Sequence, residues 1–197
     1  ETIDVTSNQV TGSGTSTITI NPGSDLSSAT EFYVLIDATA FDDSASNSYA
    51  GISDKTTLSF TTSDVLDPTL ISSTPANNST AIAVDSNIVL NFSEAVDVES
   101  GNITIKKSSD DSTVETIDVT SNQVTGSGTS TITINPGSDL SSATEFYVLI
   151  DATAFDDSAS NSYAGISDKT TLSFTTSDVL DPTLISSTPS DLSLIHI

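Results

Sequence analysis

The chain has 197 residues and a formal net charge of -23, from 4 basic residues, all lysine, against 27 acidic ones. A field of that sign repels nucleic acid and anionic membrane surfaces. There is no Cys, Met, Trp or Arg, and the one histidine is His196, so thiol nucleophiles, His-assisted triads and imidazole or thiolate metal sites all lack their residues.

Ser and Thr make up 68 of the 197 residues, and hydrophobic residues are 35%. That is too apolar for a disordered acidic tail and low for a compact enzyme, a balance that suits β-rich extracellular modules. No basic and apolar leader opens the chain, and its longest apolar stretches, such as Phe146 to Ile150, are far too short to span a bilayer. Glu1 is not a start methionine, and the chain reads as a fragment.

Residues 1–75 recur without one substitution at 115–189, an offset of 114 positions. A repeat of this length is one domain with its own core, and exceeds the short units of solenoids. The segment Thr62 to Pro68 follows a strand-like run and ends on an Asp-Pro step, where proline restricts itself and its predecessor. The boundary is placed there. On that frame residues 1–66 are the C-terminal part of a truncated repeat, 67–180 are a complete repeat, and 181–189 start a third. Residues 190–197 form an anomalous tail, read either as a divergent end or as non-native sequence, and no function is placed on His196.

In chain order, the first copy offers Ile18, Ile20, Tyr33, Leu35, Leu58 and Phe60 as inward residues, without a complete opposing sheet. The complete repeat opens on a strand near Leu70 and a turn at 75–78. Ile88, Leu90 and Phe92 then alternate with Val89 and Asn91, and Ile103 and Ile105 alternate with Asn102 and Thr104. After a turn at 108–111 come strands near Ile117 and Ile132, then one over Phe146 to Ile150 and one near Leu172, with turns at 126–128 and 135–137 between them. Period-2 alternation bounded by Gly, Pro, Asn and Asp predicts half-buried strands. Seven such strands predict an all-β fold, tandem immunoglobulin-like antiparallel β-sandwiches of which the first is incomplete. Tyr147 occupies the place of a tyrosine corner or of an ordinary half-buried strand residue.

The complete unit resembles a bacterial Ig-like domain of the SbsA or Big type. The resemblance rests on Pro68 to Pro75, Ile88 to Asp97 with its Phe92-Ser93-Glu94-Ala95-Val96, Leu140 with Tyr147, Phe155-Asp156-Asp157 through Gly165, and Leu172-Ser173-Phe174-Thr175-Thr176. It covers 67–180 and, by repetition, 1–66. What it implies is a tandem spacer in a large secreted or surface-anchored bacterial protein, with neighbouring repeats as partners and no catalytic residue carried over.

Aspartate dominates the acidic residues and gathers in a loop and a linker. In the complete repeat these are Asp156, Asp157 and Asp168, and Asp178 and Asp181; in the first copy they are Asp42, Asp43 and Asp54, and Asp64 and Asp67. Carboxylate oxygens suit Ca2+, which takes six to eight oxygen ligands. If loop and linker meet at a domain junction, one Ca2+ would stiffen the joint; the alternative is that these aspartates serve turns. Glu94 and Glu99 as a glycosidase pair lack an aromatic sugar platform. The expected function is therefore non-enzymatic: a spacer or stalk module of a bacterial surface or secreted adhesin-like protein. The alternatives are a module binding carbohydrate or protein on another cell, and an accessory domain of a secreted enzyme.

Overall fold

The computed structural model describes residues 1–186 and 188. The 190–197 tail with His196, and two residues of the expected third repeat, lie outside the described residues; 181–186 form no strand. Among the described residues there is no helix, and the chain divides into two compact units, Glu1–Leu66 and Asp67–Ile197.

The first unit contains two small antiparallel pairs. Strand β1 (Val10–Thr11) pairs with β2 (Thr19–Ile20), and β3 (Glu31–Tyr33) pairs with β4 (Ser59–Thr61). The first pair is pinned by its turn and the second by a ring contact across its ladder. Thr15 donates its hydroxyl to the carbonyls of Gly12 and Thr17, and the Phe32 and Phe60 rings stack at 6.0 Å across the β3–β4 ladder.

The second unit carries ten strands. They are β5 (Leu70–Thr74), β6 (Ser79–Ile82), β7 (Ile88–Val98), β8 (Asn102–Lys107), β9 (Thr113–Asp118), β10 (Val124–Thr125), β11 (Thr129–Ile134), β12 (Glu145–Ile150), β13 (Phe155–Asp156) and β14 (Ser173–Thr176). One sheet has the order β10-β11-β7-β13 with β5 also on β7, and the other β6-β14-β12-β8-β9. Every pairing is antiparallel except β6 on β14. The all-β, antiparallel architecture agrees with an Ig-like sandwich. The seven strands read from alternation are all present; β6, β10 and β13 are additional, and at two to four residues each is too short to display a period.

The core lies between the sheets. Along β7 the inward row is Ile88, Leu90, Phe92 and Val96, flanked in the same sheet by Ile132 and Ile134 of β11, and opposite it the other sheet supplies Ile103 and Ile105 of β8, Phe146 and Val148 of β12 and Phe174 of β14, all buried in one cluster. Phe92 packs on Phe155 at 5.5 Å and meets the Tyr163 ring edge-on at 5.1 Å. Such a contiguous apolar layer is what offsets chain entropy in a domain without disulfides. Gly126 turns between β10 and β11 with φ +104°, and a Cβ there would collide with the Thr131 carbonyl oxygen, so only glycine suits that corner.

Because 1–66 and 115–180 have the same sequence, each side chain can be compared in two surroundings. Leu172 is 0% exposed and Leu58 42%; Phe174 is 1% and Phe60 43%; Tyr147 is 5% and Tyr33 47%. Leu172→Ala is expected to cost about 3 kcal/mol in denaturant unfolding, transfer and cavity terms included, whereas Leu58→Ala, the same change in the same local sequence, costs less than about 1 kcal/mol. Equal losses in the two variants would contradict the burial difference.

Candidate functional site

The aspartates of the loop after β13 close turns. Asp157, buried at 5% exposure, accepts hydrogen bonds from the backbone N–H of Ala159 and Asn161 and from the Asn161 Nδ2, each at 2.8 Å. Burial pushes its carboxyl upward, but the donors from Asn161, Ala159 and Ser160 outweigh this and hold it below the ordinary carboxylate value. Asp168 accepts from both the N–H and the hydroxyl of Thr170 and of Thr171. Those hydroxyls, led by Thr170, lower its pKa from 3.8 to about 2. The first unit builds the same turns, with Asp43 on Ala45 and Asn47 and Asp54 on Thr56 and Thr57.

The linker aspartates are used differently. Asp178 accepts from the Ser142 hydroxyl at 3.2 Å and the Leu180 N–H at 3.0 Å, and Asp64 likewise from Ser28 and Leu66. Asp42, Asp67 and Asp181 are exposed. Asp156 sits opposite Asp97 in the β13–β7 ladder, a like-charge pairing that disfavours the strand contact, and its Oδ1 is buried without a hydrogen-bond partner. Within the second unit, among the described residues, no three acidic side chains bring ligand oxygens within 4.8 Å of one another. The loop and linker aspartates of that unit occupy separate turns. A pair does meet: a Glu94 oxygen lies within 4.8 Å of an Asp157 oxygen. Glu94 falls where the β7–β11 register slips between Thr129 and Thr131, so its alignment is set by an irregularity that alternation alone does not reveal.

Tyr147 does not form a tyrosine corner. Its hydroxyl donates to Asp111 Oδ1 at 3.1 Å, the same oxygen that Lys169 Nζ reaches at 3.1 Å. A side chain on the 108–111 turn, brought close by the β8–β12 pairing, takes the place of a backbone carbonyl.

Removing the Asp157 carboxylate leaves buried donors without an acceptor, so Asp157→Ala is expected to lower the melting temperature by roughly 5 °C or more. Acid should act through the same carboxylates. A carboxyl held at about 2 in the fold and near 3.8 when free, as at Asp168, contributes stability above pH 3.8 that is lost as pH falls from there through 2. A melting temperature unchanged between pH 5 and pH 2 would contradict this.

The sequence profile of the bacterial Ig-like domain matches residues 64–176. No curated protein sequence matches the chain significantly. Among solved structures, CopC from Methylosinus trichosporium OB3b is similar at 15% identity and a TM-score of 0.41, over 59% of this chain and 99% of that one. The N-terminal part of the bacterial S-layer protein SbsC is similar at 19% identity and a TM-score of 0.38, over 57% of this chain and 24% of that one. PcoC, a copper resistance protein from Escherichia coli, is similar at 22% identity and a TM-score of 0.31, over 55% of this chain and 98% of that one. With more than half of its length matched by that profile, the chain belongs to the bacterial Ig-like domain family.

Proposed function

We propose that this chain is a structural spacer segment of a bacterial surface or secreted protein, in which each 114-residue repeat adds one sandwich of length. The observation that carries this reading is that the core of the second unit draws on residues of a single repeat, from Ile88 to Phe174. A closed core of that kind needs nothing from a neighbour, so copies can be added without changing the module, and adjoining repeats of the same chain are its partners. The charge of -23 keeps such an array soluble and discourages self-association. The likeness to CopC and PcoC, at TM-scores of 0.41 and 0.31, carries no copper-binding role over to this chain, and among the described residues there is no Cys, Met or His to serve as a soft or imidazole donor.

The competing role is direct adhesion through loops at one end of the sandwich. Full-length chain applied to a glycan array and to host extracellular proteins is expected to bind none of them, and saturable binding that a loop substitution abolishes would replace the spacer reading. Among the described residues, no helix is long and apolar enough to cross a membrane.

A second reading, stiffening by Ca2+, draws on Glu94 and Asp157, whose oxygens approach within 4.8 Å. A hard cation with oxygen preference would relieve their repulsion. On that reading millimolar Ca2+ raises the melting temperature over that in chelator, and Asp157→Asn removes the increment. An unchanged midpoint rejects it.

A further inference from the structure

Most aspartates of this chain are held by their own neighbours. Among the described residues nine of them, from Asp4 to Asp178, accept a hydrogen bond from the backbone N–H two residues on. Asp67 lacks that partner for a structural reason. Pro68, which follows it, has no N–H. The next N–H, that of Thr69, donates instead to Ser93 Oγ at 3.0 Å, while the Thr69 carbonyl accepts from the Ser93 N–H at 2.9 Å. Among the described residues no hydrogen bond or ion pair reaches the carboxylate of Asp67, or that of Asp181, which also precedes a proline. Both aspartates are exposed, whereas Pro68 is buried. The chain contains these two Asp-Pro steps and no others, and they stand one repeat offset of 114 positions apart.

We propose that the Asp67–Pro68 and Asp181–Pro182 bonds are self-cleavage sites in mild acid, with the aspartate carboxylate as nucleophile and water as the co-reactant. An unengaged Asp carboxylate can close on its own backbone carbonyl carbon to form a cyclic anhydride. The new oxygen–carbon bond forms as the carbon–nitrogen bond of the peptide breaks, and the proline nitrogen leaves as a secondary amine carrying a proton from solvent. Water then opens the anhydride, which restores the side-chain carboxyl and leaves a new carboxyl terminus on the aspartate. A nucleophile tethered beside its target gains the advantage of an intramolecular reaction. Proline enforces this route. Without an N–H it cannot attack the side chain to give the cyclic imide that competes at other aspartates, and its tertiary amide nitrogen takes up a proton more readily than a secondary one. The fold defines the product. The core cluster and the side chains packed on it, from Leu70 to Phe174, lie between the two bonds, and the Thr69–Ser93 hydrogen bonds keep the new Pro68 end on the sandwich. Acid therefore frees one closed repeat, residues 68–181. The chemistry needs only these bonds and does not depend on the spacer role.

Full-length chain is held at about pH 4 and at about pH 7 and followed over days by intact mass spectrometry, with circular dichroism reporting the fold. In acid the expected products end at Asp67 and Asp181 and begin at Pro68 and Pro182, each cut adding one water to the summed mass; at neutral pH the chain stays whole. Asp67→Asn is expected to lose the cut at 67 and keep the one at 181. Ser93→Ala releases the Thr69 N–H to the Asp67 carboxylate, so the cut at 67 slows relative to the one at 181 in the same sample. The proposal is overturned if the chain stays intact in acid or is cut only after unfolding, or if other aspartates are cut as readily. It is equally overturned if 181 alone is cut, if Asp67→Asn is cut at 67 as fast as the parent, or if Ser93→Ala leaves the ratio of the two cuts unchanged.

Discussion

The structure depends on one long-range pairing, that between the segment bearing β7 and β8 and the half bearing β11, β12 and β14. Strand β7 has neighbours on both edges, and its inward row Ile88, Leu90 and Phe92 lies at the centre of the buried cluster. Removing those strands from the picture is not a thought experiment, because the first unit shows the remaining half with the same sequence. Its two strand pairs persist there, yet Leu58 and Phe60 face solvent where Leu172 and Phe174 are sealed. Local turns thus need only local sequence, whereas burial needs the distant segment.

Many of the acidic residues belong to the local side of that division, Asp111 with its long-range partners Tyr147 and Lys169 being an exception. Glu1 binds the Gly23 N–H and Gln9 just as Glu115 binds Gly137 and Gln123. Asp54 and Asp168 hold equivalent threonines, and Asp43 and Asp157 hold equivalent loops. Carboxylates that accept several hydrogen bonds within two to four residues fix loop conformation at small entropic cost, and they stay ionised in moderately acidic surroundings because the donors favour the charged form. Negative charge here is part of how the turns are made, in addition to what it does for solubility.

Much of this was readable from residues alone, for definite reasons. Alternation at Ile88, Leu90 and Phe92, at Ile103 and Ile105 and at Ile132 and Ile134 located strands whose inward faces are buried as expected, since a period of two is fixed by strand geometry. Strands β6 and β13 escaped because their pairing partners, not their own patterns, define them. The partner of the Tyr147 hydroxyl was not legible for a related reason: Asp111 becomes its partner only through the β8–β12 register. At the candidate site the composition pointed to carboxylates. It could not say that Asp157 is occupied by Asn161, nor that Glu94 comes close to it, because both depend on loop geometry that no spacing rule encodes.

The matching halves carry a consequence for biosynthesis. Wherever such modules adjoin, each β5–β8 stretch is flanked by two equivalent complements, one synthesised before it and one after. A ribosome exposes the earlier one first, so the nascent chain meets a permuted pairing across the seam before the correct complement has been translated. Nothing in side-chain chemistry distinguishes the two; chain connectivity has to. Divergence between adjacent copies would remove this ambiguity, and a stretch of undiverged copies therefore places the burden of correct assembly on folding kinetics.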